Sequence, residues 1–111
     1  MAGKINTRAK GFRREIQAEQ ILLKKGWIAQ RVKGSTLYNK NVDFYGLWDI
    51  IAMKPRTENE ETQVLHVQVK SNTKPPLKEY EEFADIYRAD NIKYQVWVIK
   101  DRIKGVDIYE C

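Results

Sequence analysis

The chain has 111 residues, 42% hydrophobic and 32% charged, with a formal net charge of +5, which suits one soluble domain over residues 1–111 with a single core of ordinary size. No run of about 18 apolar residues exists, which excludes a membrane-spanning helix, and Met1-Ala2-Gly3-Lys4 leads into polar sequence rather than a signal-peptide apolar region, so a cytoplasmic protein is expected. The one cysteine, Cys111, excludes an internal disulfide and a cysteine-based zinc site.

The charge is one-sided. Residues 1–33 hold nine Lys/Arg against two acids, a net of +7, and the remainder holds eleven basic and thirteen acidic residues, a net of −2. Such a region attracts phosphate backbones without sequence preference. Lys10, Arg13, Arg14, Arg31 and Lys33 are its candidate DNA contacts, and a solvated helix face is the plainer alternative.

Residues 1–7 read as an extended arm. From Arg8 to Lys25 the pattern is helical, with Phe12, Ile16, Leu22 and Leu23 in one wide stripe and Gly26 as its stop. Glu15 and Glu19 fall on or beside that stripe, where a carboxylate is usually avoided. Either they pair with Arg or Lys at the helix edge, or one of them reaches a polar site. Trp27–Lys33 reads as a first strand. Gly34–Leu47 is a long irregular segment whose Ser35, Tyr38 and Lys40 suit contacts to sugar, phosphate or base.

Trp48–Met53 and Thr62–Lys70 are two β-rich runs separated by a Pro- and charge-rich turn, as antiparallel partners are. Alternation puts His66, Gln68 and Lys70 on one face and Leu65, Val67 and Val69 on the other. A core needs the second set and has no use for the first, so Asp49, Gln68 and Lys70 together suggest a site. Ser71–Pro76 breaks the chain before a helix over Leu77–Ala89, whose Leu77, Tyr80, Phe83, Ala84 and Tyr87 share a face as core residues. Tyr94–Lys100 is an apolar run such as a strand covered on both sides shows. Val106–Tyr109 makes a short last strand. The α-β-β-β-α-β-β order requires a crossover, hence an α/β (α+β) fold with a mixed central sheet flanked by helices.

A divalent cation such as Mg²⁺ takes oxygen ligands from carboxylates, carbonyls and waters. Asp49 and Glu15 can supply carboxylates and Gln68 a side-chain carbonyl, with Lys70 placed to face an attacking water or a phosphoryl oxygen. That set is suited to polarising a phosphodiester, although an acid followed some twenty residues later by Gln-x-Lys is a weak pattern by itself.

Lys10-Gly11-x-x-x-Glu15, Gly26, Gly34-Ser35, Trp48-Asp49-Ile50-Ile51-Ala52 and Val67-Gln68-Val69-Lys70-Ser71, in this order, resemble the PD-(D/E)xK nuclease superfamily, most closely its archaeal-type Holliday junction resolvase branch. The resemblance implies a restriction-endonuclease-like core and an endonuclease that uses Mg²⁺ or Mn²⁺ to hydrolyse branched or duplex DNA in recombination or repair, acting as a homodimer. It implies Glu15, Asp49 and Gln68 as metal ligands, Lys70 as the catalytic lysine, and Ser35 as the serine of a mobile loop. Asp43 is a rival to Asp49, but Asp49 starts a clear strand. His66 has no equivalent and reads as a half-buried strand residue. Gln68 stands where the family usually has Asp or Glu, which removes a negative charge from the cation site; a catalytically weak DNA-binding module is the alternative this opens. The Ser35–Asp49 segment is longer than in the compact resolvases.

Overall fold

The computed structural model describes residues 7–32, 47–101 and 105–111, and for residues 7–10 the backbone alone. The elements are α1 (Thr7–Lys24), β1 (Ile28–Arg31), β2 (Ile50–Lys54), β3 (Gln63–Ser71), α2 (Lys78–Ile86), β4 (Ile92–Ile99) and β5 (Val106–Glu110). The order is the expected one. The five strands lie in sequence order in one sheet, and β3–β4 is the parallel pair among antiparallel neighbours. That follows from the chain: β2 and β3 are joined by the short segment 55–62 and pair antiparallel, whereas α2 carries the chain back across the sheet before β4 begins.

Gly26 stops α1 as expected. It holds φ +91°, a conformation that costs a side-chain-bearing residue far more, and the Trp27 N–H returns to the Leu22 carbonyl at 3.0 Å as helix-ending turns do. The tight turn sends β1 back along α1. Arg31 pairs with Ile50, and Ile50 with Val67, so the end of β1 and the start of β2 lie at the same end of the sheet as the C-terminal half of β3.

The sheet is covered on both faces. Ala18 and Leu22 of α1 pack with Ile50, Ala52, Leu65, Val67, Val69, Trp97 and Ile99. Tyr80 and Ala84 of α2 pack with Leu47, Trp48, Tyr94, Val96 and Val98. One helix therefore lies on each side, and no helix among the described residues is long and apolar enough to cross a membrane.

Four details differ from the sequence reading. Phe12 and Leu23, expected in the buried stripe, are 51% and 47% exposed; the contact narrows to the Ala18–Leu22 line, and Phe12 instead lies under the Arg31 guanidinium, 4.3 Å from ring centre. Helix α2 is shorter than Leu77–Ala89. It ends at Tyr87, whose N–H bonds the Phe83 carbonyl at 3.2 Å, and Tyr87 is 51% exposed rather than in the core. Strand β4 starts at Ile92, not Tyr94, because Ile92 already pairs with Val64. The face carrying His66 and Gln68, expected to be of no use to a core, is buried: α2 covers it, and His66 is walled by Trp48, Phe83 and Tyr94.

Candidate metal centre

The end of β3 is held on its β2 side by a carboxylate. Regular pairing of β2 with β3 begins at Ile50↔Val67, and just before it the Asp49 N–H bonds the Val67 carbonyl at 2.9 Å. Beyond that point β2 leaves the ladder. The Val69 N–H is met at 3.0 Å by Oδ2 of Asp49, which takes the place a main-chain carbonyl would have filled. A buried N–H needs such a partner, and a charged acceptor makes the stronger bond. At the same time the Val32 N–H bonds the Asp49 carbonyl at 2.8 Å, so the residue is pinned from both neighbouring strands.

Val69 lies between Gln68 and Lys70, so Asp49 is joined to the Gln-x-Lys segment by a direct bond. Asp49 and Gln68 are each 6% exposed, and Lys70 is half-buried. The Gln68 Oε1 is buried and makes no hydrogen bond among the described residues. An acceptor in that state costs roughly 1–3 kcal/mol and is the kind of atom a hard cation seeks. A carboxylate, and a buried amide carbonyl without a hydrogen-bond partner among the described residues, are donors that suit a divalent cation, and Asp49 and Gln68 would hold one. Among the described residues no three of His, Cys, Asp and Glu cluster as ligands.

Glu15 arrives from the other layer. It lies one and two turns before Ala18 and Leu22, which pack over Val67 and Val69, whereas alternation puts Gln68 and Lys70 on the α2 side of the strand. It nevertheless stands at the same end of the sheet, since its neighbour Arg14 bonds Asp101, two residues beyond the end of β4. The structure thus joins Asp49 to the Gln68–Lys70 segment through the Val69 backbone and places Glu15 in the α1 layer at the same end of the sheet.

His66 precedes Gln68 by two and shares its face. Its ring stacks on Tyr94 at 4.6 Å between centroids with 26° between planes. Burial pulls its imidazole below the ordinary pKa, with a hydrogen bond at the Lys93 backbone pulling weakly the other way. It is a neutral wall of the aromatic cluster at neutral pH, not a phosphate-binding cation, in line with the strand reading.

The expected DNA contacts divide. Arg13 is exposed. Arg31 stands at the Asp49 end of the sheet over Phe12. Arg14 is committed to Asp101 and Gln17, which leaves it a poor phosphate ligand. Lys10 lies in α1 with its side chain outside the described residues, as are Lys33, Ser35, Tyr38, Lys40 and the rival acid Asp43. One cavity of about 340 Å³ is lined by Arg13, Arg14, Gln17 and Asp101, and another of about 390 Å³ by Glu60, Glu61, Gln63, Asp90, Asn91 and Lys93 at the opposite end of the sheet from Asp49.

Sequence reasoning passed over Asn72 and Asp101, reading the first as part of a break and giving the second no role. Asn72 has φ +65°, and Asn is among the few residues that adopt such a backbone at modest cost. An Asn directly after a strand was the signal available.

No protein-family profile and no curated protein sequence matches the chain. Among solved structures, the chain is similar to Archaeoglobus fulgidus Hjc, a Holliday junction resolvase from an archaeal hyperthermophile, at 21% identity and a TM-score of 0.58, over 90% of this chain and 76% of that one. The mixed five-stranded sheet with a helix on each face is the fold of that resolvase. The expected α+β nuclease-like fold is the observed one.

Proposed function

We propose that the protein is a metal-dependent endonuclease that hydrolyses DNA phosphodiesters, with branched DNA such as a four-way junction as its preferred substrate and recombination or repair as its setting. The observation that carries this reading is the Asp49 carboxylate bonded to the N–H of Val69, the residue after Gln68, whose buried Oε1 makes no hydrogen bond among the described residues. The resolvase of the same fold supports the choice of substrate class. An intracellular, cytoplasmic protein of one domain goes with it.

In this reading Asp49 and Gln68 hold Mg²⁺ or Mn²⁺, with Glu15 contributing from α1. A cation bound there supplies Lewis-acid polarisation of the phosphodiester and a lowered pKa for an attacking water. Asp49 does two things: Oδ2 fixes the strand end through Val69, and the carboxylate supplies negative charge to the cation. Lys70 sets its amino group beside the phosphoryl oxygens, where charge develops as the bond breaks. Arg13 and Arg31 hold backbone phosphates at the same end of the sheet. Cutting two strands symmetrically calls for two such sites related by a two-fold axis, hence a homodimer.

The second reading, a DNA-binding module of this fold without chemistry, is favoured by the missing third acid at Gln68. One assay separates them. Pure protein is incubated with linear duplex, single strand, flap and four-way junction DNA, with and without Mg²⁺ or Mn²⁺. Cleavage that needs the metal and disappears in Asp49→Ala and Lys70→Ala supports the nuclease; binding that falls steeply with salt, with no scission under any metal, supports the module.

A further inference from the structure

Three segments meet where β3 and β4 end. Arg14 of α1 donates from Nη2 to Asp101 Oδ1 and from Nη1 to Gln17 Oε1 at 3.1 Å. Asn72 Nδ2 donates to Asp101 Oδ2 at 3.1 Å, and the Asp101 N–H donates to Asn72 Oδ1 at 2.9 Å. The Asn72 N–H in turn bonds the Ile99 carbonyl at 3.0 Å.

The last two bonds extend the parallel ladder past its end. Ser71 pairs with Ile99. A ladder continued one step would have the Asp101 N–H bond the main-chain carbonyl of Asn72. At φ +65° that carbonyl turns away, and the Asn72 side-chain carbonyl takes its place. The C-terminal end of β3 is therefore held by side chains on both edges, Asp49 towards β2 and Asn72 towards β4, with Lys70 between them.

An exposed ion pair contributes little. This one differs in two respects: the Arg14 side chain is only 16% exposed, and Asp101 is shared with a second donor that is itself fixed by its backbone. It also spans the gap between layers. Arg14 directly precedes Glu15 on α1, and Asn72 follows Lys70 by two residues, just past the end of β3.

We propose that Asn72 and Asp101 are positioning residues which, with Arg14, set the spacing between Glu15 and Lys70 and so the affinity of the cation site. The proposal rests on the nuclease reading above. Groups that orient metal ligands without touching the metal typically change metal affinity or activity by about 10–100-fold when removed, and that is the effect expected here.

The test is calorimetric titration of Mn²⁺ into the whole protein, run beside the DNA-cleavage assay and thermal melting. Asn72→Gly removes both side-chain bonds and tolerates the left-handed backbone. It is expected to melt as a folded protein and to bind Mn²⁺ roughly 10–100-fold more weakly than wild type. Asp101→Asn, which keeps the size and one oxygen acceptor, is expected to weaken binding by about tenfold and serves if Asn72→Gly does not fold. Arg14→Ala combined with Asp101→Ala should be no worse than the poorer single variant, because both cut one clamp. Folded variants with wild-type Mn²⁺ affinity overturn the clamp while leaving cleavage by the wild type standing. A wild type that binds Mn²⁺ without cutting DNA sinks the nuclease reading, and the titrations still decide the clamp. A wild type that binds no Mn²⁺ overturns both.

Discussion

Beneath α1 the sheet is aliphatic: Ile50, Ala52, Leu65, Val67, Val69 and Ile99, with Trp97 the one aromatic in that buried cluster. Beneath α2 it is aromatic and carries polar atoms. Trp48 meets Tyr80, Phe83, Tyr94 and His66 at ring centroid distances of 5.4 to 5.9 Å, and Trp48 Nε1 and Gln68 Oε1 are buried there without hydrogen-bond partners among the described residues. The first face has only to exclude water and fix register, which interdigitating aliphatic side chains do well. The second carries the buried Gln68, one residue before the Val69 N–H that the Asp49 carboxylate holds. Both faces are packed, but the candidate chemistry lies on the α2 side alone, and substitutions should separate stability from metal affinity.

The largest effect is expected from the aromatic wall. Trp48→Ala should cost about 3–5 kcal/mol in denaturant unfolding, because Trp48 is fully buried and four rings lose their partner. A cost under about 1 kcal/mol would mean the α2 face is not a packed layer. Leu22→Ala on the aliphatic face is expected to cost about 2–5 kcal/mol while leaving metal affinity per folded molecule unchanged. That pairing of results is the sharpest test of the division, since a drop in Mn²⁺ binding by the folded variant would show that the faces do not act separately.

Gln68→Glu restores a negative charge to the cation site, and roughly tenfold tighter Mn²⁺ binding is expected from an added charged ligand, read by calorimetry. The cost is a buried carboxylate, so the metal-free variant should melt lower than wild type. Weaker Mn²⁺ binding in a folded Gln68→Glu protein would show that this side chain does not face the cation.

The smallest effect is on pH. Burial depresses the His66 pKa in the folded state, so the unfolded chain binds its proton first as pH falls. The stability His66 contributes is therefore complete above its unfolded pKa of about 6.5 and is lost as pH drops below it. Melting temperature should fall between pH 7.5 and 5.5, and His66→Phe should flatten that slope. An equal slope in the variant would assign the titration to another group.

Much of this was legible in the sequence. The alternating Gln63–Lys70 run, the Gly26 stop and the Pro-rich break before α2 define elements through local chemistry, and the element order follows. Asp49 could be picked out because it starts a clear strand whose partner carries Gln68 and Lys70 on one face. What alternation could not supply was the fate of the second face. His66, Gln68 and Lys70 read as a polar set suggesting a site, with His66 half-buried, and only the crossover through α2, a tertiary event, buries His66 and Gln68. Phe12 and Leu23 failed for a related reason, since periodicity marks a wide stripe and the helix contact uses part of it. The Asn72–Asp101 clamp joins residues 29 apart and leaves no periodic trace.

The most direct test of the cation site is paramagnetic. Mn²⁺ is titrated into ¹⁵N-labelled protein and amide line widths are followed. The expected result is early, selective broadening of the Gln68 side-chain amide and the Val69 N–H, lost in Asp49→Asn, with the Glu60, Glu61 and Asp90 end of the sheet affected only at higher Mn²⁺. Broadening that starts at that acidic end, or that survives unchanged in Asp49→Asn, would contradict a cation site at Asp49 and Gln68.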